Sequence, residues 1–257
     1  MHNTFGEGLK EWRSQRRMSQ LDLGLTANVS ARHISFLETG RAKPSQSMVK
    51  QLCETLEVPL TARNALLGAA GFAPAYRRRE LSDKDMSHVR AAVDWTLQRH
   101  DPFPAFALDR HWRLIKANQS AGFLLAGIGL NEGDSLLDAM VDETVMSQVL
   151  ENWHEVMQHM AIRLRTESNH LGGDSVLDAA IAKLNRMLVV GPTPLTSPMP
   201  AVIPARYRAG DAVLSFFSTL AQFGTAEDIA LAELKIELMF PADDATRTAL
   251  LAMPTDG

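Results

Sequence analysis

Through residues 5–72 the apolar positions recur at helical spacing. Phe5, Leu9 and Trp12 share one face of a helix from Phe5 to Arg17, with Lys10, Arg13, Arg16 and Arg17 between them. Ser19 stands as an N-cap with Asp22 three residues on, an acidic capping box that opens a helix over 20–27. Asn28 tolerates a left-handed turn and ends it; Ser30 caps a helix over 31–39, which stops at Gly40. Helices over 45–56 and 62–70 follow, split by Val58-Pro59 and closed by Gly71 and Pro74. Tyr76-Arg-Arg-Arg-Glu80 is a charged junction.

Beyond it the texture changes. Ser82 is read as the cap of a helix reaching Arg99. Residues 104–109 and 112–118 have strand character, joined by a polar turn at Asp109-Arg-His111. Residues 118–125 read as helical, and helices over 143–167 and 174–188 lead into a connection rich in proline. Strands follow at 201–208, 212–223 and 234–240, and Asp243 and Asp244 open a last short helix. Strand–turn–strand, helices, then three strands is an α+β pattern, an antiparallel sheet with helices on one face that can enclose an apolar pocket. The expected organisation is two domains: an all-α five-helix domain over residues 1–75, a junction at 76–81, and an α+β domain over 82–257.

Composition narrows the class. The 257 residues are 46% hydrophobic and 22% charged, ordinary for a globular protein with a sizeable core. A single cysteine, Cys53, excludes an intramolecular disulfide framework and a Cys-rich zinc site. The N-terminus lacks the apolar run of a secretory signal. The uncharged stretch from Met187 to Ala205 carries Pro192, Pro194, Pro198, Pro200 and Pro204, too many for a spanning helix, so a cytoplasmic protein is expected. The net charge of −4 hides an asymmetry: residues 1–80 hold 12 Lys/Arg against 7 Asp/Glu, and the rest 14 against 23. A basic head on an acidic body suggests that the head meets a polyanion.

The segment SQLDLGLTANVSARHISFLE, Ser19 to Glu38, is the most informative. Two helices crossing steeply through a tight turn need a small residue where they touch, and Gly24 sits there. Ala27 is small before the turn, Val29 apolar inside it, and Leu21, Ile34 and Leu37 are expected to plug the core between the helices. With HISFLETGRAKPS after it, residues 5–72 resemble the lambda-repressor-like helix-turn-helix domain of Cro/repressor-like, xenobiotic-response-element transcription regulators. The resemblance implies that helix 31–39 lies in the DNA major groove, with Ala31, Arg32, His33, Ser35 and Phe36 at the base edges. Arg32 is the best donor for a bidentate pair with guanine, and Ala31 suits a thymine methyl. Gln20 matches the family glutamine that anchors on phosphate. Arg16, Arg17, Arg41, Lys43 and Ser45, which heads a helix, complete the expected phosphate contacts. By the same resemblance Arg13 and Glu38 occupy buried ion-pair positions and belong to structure.

PAFALDRHWRLIKANQSA and LSFFSTLAQFGTAEDIALAELKIELMFPADDAT resemble the MmyB-like ligand-binding domain, a PAS-like antiparallel-sheet fold found behind this helix-turn-helix type. Some members of that family bind fatty acids, so a small apolar or fatty-acid-like ligand is implied. The candidate lining is Phe106, Leu108, Trp112, Ile115, Phe123, Leu124, Trp153, Met157, Phe216 and Phe223, aromatic and Met side chains that suit adaptable apolar pockets and equally an ordinary core. Arg206 and Arg208 are candidates to pair with a ligand carboxylate. Catalytic readings lack their partners. Glu151-x-x-His154 is half a di-iron motif without a second copy, and Gly127-Ile-Gly129 follows a helix rather than a strand.

The expectation is a one-component transcription regulator, with no catalytic residues, metal or cofactor. It binds a double-stranded DNA operator as a homodimer and is controlled by a small ligand in its C-terminal domain. The alternative is a DNA-tethered protein-interaction or dimerisation module whose core is filled by its own side chains.

Overall fold

The structure is a computed structural model and describes residues 4–188 and 202–252. The chain gathers into two compact units. The head comprises Met1–Arg78 with Ser168–Asp174 and Thr225–Ala232, and the body Arg79–Glu167, Ser175–Gly224 and Glu233–Gly257.

The first part of the head is five helices: α1 (Phe5–Gln15), α2 (Gln20–Thr26), α3 (Ala31–Glu38), α4 (Gln46–Thr55) and α5 (Leu60–Ala69). The first four start at side-chain caps. Thr4 and Ser19 close reciprocal capping boxes with Glu7 and Asp22, while Ser30 and Ser45 accept from the His33 and Met48 amides at 3.2 Å each. Leu9, Leu23, Ile34, Leu37, Val49 and Leu52, each 1% exposed or less, form the centre of the core. Leu21 is not among them. It stands 58% exposed beside Leu25, because α2 turns its Leu23 and Ala27 face inward and leaves the Leu21 and Leu25 face outside. Gly24 does sit at the crossing: a Cβ there would lie 2.5 Å from the Val29 carbonyl oxygen. Asn28 makes the turn with φ of 51°, the left-handed conformation that its short amide tolerates.

The next elements are α6 (Ser87–His100), β1 (Ala105–Leu108), β2 (Leu114–Ala117), α7 (Gln119–Ala126), α8 (Leu136–Met140), α9 (Glu143–Val149), α10 (Trp153–Leu171) and α11 (Ser175–Leu188). After them come β3 (Ala205–Ala209), β4 (Ala212–Ala221), α12 (Ile229–Glu233), β5 (Lys235–Pro241) and α13 (Asp244–Leu251). The five strands form one antiparallel sheet in the order β2-β1-β5-β4-β3, so β5, the last in sequence, lies at its centre beside β1 and β4. This is the expected α+β arrangement behind a helical head. Asn118 ties the start of the body together. Its Oδ1 accepts from the Ala105 and Ala121 amides at 2.9 and 3.0 Å, and its Nδ2 donates to the Leu97 and Phe103 carbonyls at 3.2 and 2.8 Å.

Several expected boundaries move. Ser82 does not cap α6: its hydroxyl donates to Glu80, and a short 3-10 turn, Lys84–Met86, precedes the helix. The single helix expected over 143–167 is two, because Leu150 bridges to Tyr207 and Asn152 donates to the Pro204 carbonyl at 2.8 Å. Those bonds to the edge strand take the backbone out of the helix between α9 and α10. Helices α8 and α12 were not expected, and β4 stops at Ala221, leaving Phe223 beyond it. Pro192, Pro194, Pro198 and Pro200, and the start of the strand expected at 201, lie outside the described residues.

Candidate functional site

The head presents one polar surface around α3. Arg32 is exposed and Ala31, His33, Ser35 and Phe36 are half-buried on the same helix. The Phe36 ring has the Arg32 guanidinium at 5.2 Å on one contact and that of Arg41 at 5.9 Å on another, so both cations are held near the exposed side of α3. Arg17, Arg41, Lys43 and Ser45 are also exposed, Ser45 at the N-terminus of α4. Two expected phosphate contacts have other employment. Arg16 donates to the Leu56 and Glu57 carbonyls at 2.9 and 3.1 Å, closing the end of α4, and stacks on Trp12. Gln20 donates through Nε2 to Glu38 at 2.8 Å and keeps one amide N–H.

Beneath this surface Glu38 is the anchor. Arg13 donates to it from Nε at 2.6 Å and from Nη2 at 3.1 Å, and its Nη1 reaches the Met18 carbonyl. The hydrogen bond to Glu38 raises the Arg13 pKa against the cost of burial, so the guanidinium stays charged. One fork therefore joins α1, the loop before α2, and the last residue of α3.

The body encloses a cavity of about 370 Å³ between the sheet and helices α7 to α10, within the usual range of ligand pockets, roughly 300–1,000 Å³. Of the ten residues expected to line it, Phe106, Trp112, Leu124, Met157 and Phe216 do. Leu108, Ile115, Phe123, Trp153 and Phe223 are not part of the lining, and Phe123 is 65% exposed. The wall is instead rich in methionine, with Met140, Met146, Met160 and Met239 joining Met157. On α10 the inward residues Val156, Met157, Met160 and Arg163 follow helical spacing, a signal present in the sequence once the helix is known to face the sheet.

The polar part of the lining is small: His159, Arg163, Tyr207, Ser218 and Glu237. Arg163 forks onto Glu237 at 3.0 and 2.8 Å and reaches Glu167 at 3.3 Å, while Ser218 donates to Glu237 at 2.6 Å. Glu167 also accepts from Lys235 at 2.8 Å and from the Trp112 indole at 3.0 Å. Trp112, held at φ of 62°, lies with Arg163 and Lys235 at 4.4 and 4.6 Å from its ring. Burial works against the charge on both cations. For Arg163 the two glutamates overcome it and the pKa rises; for Lys235 burial wins and the pKa falls. Burial, then the Glu237 charge, pushes the Tyr207 phenol up to about 12, so it is a neutral hydroxyl. Among the described residues no group of three or more His, Cys, Asp or Glu is placed to hold a metal ion.

A helical head with a small-residue crossing, joined to a sheet domain around an apolar cavity, can now be set beside known families. The model of the MmyB-like transcription regulator ligand binding domain matches residues 89–253, more than half of the chain. The chain belongs to this family. A helix-turn-helix model matches residues 9–62, which contain α2, the turn and α3. No curated protein matches the chain. The pairing of a helix-turn-helix with an MmyB-like domain makes it a DNA-binding transcription regulator, and both families are regulator domains rather than enzymes. No helix among the described residues is long and apolar enough to cross a membrane.

Proposed function

We propose that this protein is a one-component regulator that binds a DNA operator as a homodimer and is controlled by a small apolar ligand in the body cavity. On this reading residues 1–75 are the DNA-binding domain, 76–81 the junction and 82–257 the ligand domain. The observation that carries it is the apolar cavity of about 370 Å³ in a chain whose head is a helix-turn-helix. That cavity also favours a ligand over the alternative, a protein-interaction module with a self-filled core. In the head, α3 enters the major groove, with exposed Arg32 reading guanine and Ala31, His33, Ser35 and Phe36 lying against neighbouring base edges. Arg17, Arg41, Lys43 and the capped start of α4 at Ser45 hold phosphates, and Gln20 adds its remaining N–H. Arg16 serves the end of α4. A ligand changes DNA binding only by favouring one of two arrangements of the dimer.

The experiment has two readouts on full-length protein: sedimentation with and without a duplex selected from random DNA, and titration of that duplex against a scrambled one. A dimer on a pseudo-palindrome is expected. Arg32→Ala costs about 1–3 kcal/mol on the selected duplex and relaxes preference at one base position; Lys43→Ala weakens both duplexes alike and lowers the salt slope. A monomer on DNA, or identical behaviour of the two variants, overturns the assignment.

A further inference from the structure

The polar end of the cavity carries no spare positive charge, and this constrains what can sit there. Among the described lining residues only His159 and Arg163 are able to carry one. Every donor nitrogen of the Arg163 fork is engaged, Nη1 and Nη2 by Glu237 and Nε by Glu167. Lys235, behind the Trp112 ring, is engaged by Glu167. Two cations and two carboxylates thus close on one another, with the Glu237 carboxylate on the cavity wall. Arg206 and Arg208 are not in the lining; Arg206 pairs with Glu151 at 2.9 Å. An incoming carboxylate therefore meets a balanced cluster and a like charge, with no free cation among the described lining residues to offset the loss of its water.

One buried polar atom of the lining does await a partner. The His159 Nε2 is buried without a hydrogen bond, and Tyr207 on β3, whose neutral hydroxyl can donate and accept, lines the same cavity. A hydroxyl or an amide, which both donates and accepts, satisfies His159 in either tautomer.

We propose that the cavity is specific for an apolar molecule with an uncharged hydroxyl or amide end, bound through His159, and excludes the corresponding carboxylate anion while Glu237 occupies Arg163. The inference rests on the reading of this cavity as the ligand site and decides the class of ligand within it.

The test uses full-length protein, N-phenylnaphthylamine as the uncharged fluorescent occupant, and displacement by decanol or decanoate at a pH well above the ordinary carboxylate range, where decanoate is the anion. Decanol is expected to displace the dye about tenfold more tightly than decanoate, the worth of one satisfied buried hydrogen bond. His159→Leu should remove most of that preference while the dye still binds. Glu237→Gln frees the Arg163 fork and should invert the preference, a gain of carboxylate binding that a misfolded variant cannot show. Equal or tighter binding of decanoate by the wild type overturns the inference and leaves the ligand site standing, as does a Glu237→Gln variant that binds the dye with unchanged preference. Failure of the dye and of both probes to bind the wild type overturns the ligand site itself and the inference with it.

Discussion

Replacing Glu38 by glutamine should loosen the DNA-binding head far more than one hydrogen bond would suggest. The Glu38 side chain is 3% exposed and that of Arg13 12%. Three donors converge on its two oxygens, Arg13 Nε and Nη2 and Gln20 Nε2, at 2.6, 3.1 and 2.8 Å. Glu38→Gln keeps the volume, removes the charge and turns an amide N–H₂ toward groups that can only donate. Breaking a buried ion pair by removing one partner costs about 3–5 kcal/mol. Arg13 keeps its bond to the Met18 carbonyl at 2.7 Å, which places this case near the lower end, ~3 kcal/mol. The population of opened heads then rises on the order of a hundredfold. The chain carries its own reporter. Cys53 is the single cysteine, lies 2% exposed in the head core, and has its thiol pushed up to about 12 by burial, so it reacts only when the head opens. Labelling of full-length protein with iodoacetamide, where reclosing outpaces reaction, reads the opening equilibrium directly. Glu38→Gln should label on the order of a hundredfold faster than wild type, and Arg13→Met/Glu38→Leu close to wild type, because apolar residues of similar size replace a buried pair at little cost. Labelling of Glu38→Gln within about threefold of wild type, the range of an exposed pair, would refute the reasoning. So would a double variant as reactive as the single one.

Three further outcomes are expected. Gly24→Ala would gain helix propensity in isolation, but its Cβ would meet the Val29 carbonyl at 2.5 Å, so we expect a loss of about 1–3 kcal/mol. Cys53 labelling that is unchanged or slower in Gly24→Ala contradicts the close crossing. Asn118→Asp exchanges two donors for acceptors facing the Leu97 and Phe103 carbonyls, which should lower body stability by about 3 kcal/mol in urea denaturation; a wild-type midpoint would show that the bonds are dispensable. Asp243 caps α13 by accepting from the Thr246 amide at 2.7 Å, and the backbone and side-chain bonds of Thr246 hold its carboxyl below the ordinary value. Because the folded pKa is the lower one, the cap's contribution is complete above about 3.9 and is lost as the pH falls through the folded value. The Thr246 amide resonance should titrate with a midpoint below about 3.9 and lose that step in Asp243→Asn; a midpoint at or above it refutes the cap.

Most of the head was legible because its constraints are local. Ser19, Ser30 and Ser45 each cap the helix they open from a fixed offset, and Gly24 and Asn28 are required by backbone geometry within a dozen residues of each other. Leu21 was misplaced because a helix of seven residues, Gln20–Thr26, offers Leu21, Leu23 and Leu25 to periodicity with little to choose between two faces. Arg16 reads as a surface cation because its partners, the Leu56 and Glu57 carbonyls, lie 40 and 41 residues away. The same distance hides the break between α9 and α10, which depends on strand β3 rather than on any breaker in the helix itself.

The charged cluster at the cavity was not legible in the sequence, for a reason that bears on its chemistry. The strand expected at 234–240 carries Lys235 and Glu237 among apolar residues, and nothing local in that stretch says where the two charges go. The sheet order makes β5 central, and residues of both its faces are buried, Lys235 and Glu237 at 4% and 6% exposed and Ile236 at 4%. A charge so placed cannot be left alone. Arg163 and Glu167, which on α10 would pass for a common surface pair at i,i+4, are the two residues that neutralise it. An ordinary apolar core needs none of these four charges, and replacing all of them by well-packed apolar residues would commonly be neutral or stabilising. Their presence around Trp112 at the edge of a cavity is thus better explained by what the cavity must discriminate than by what the fold must bury.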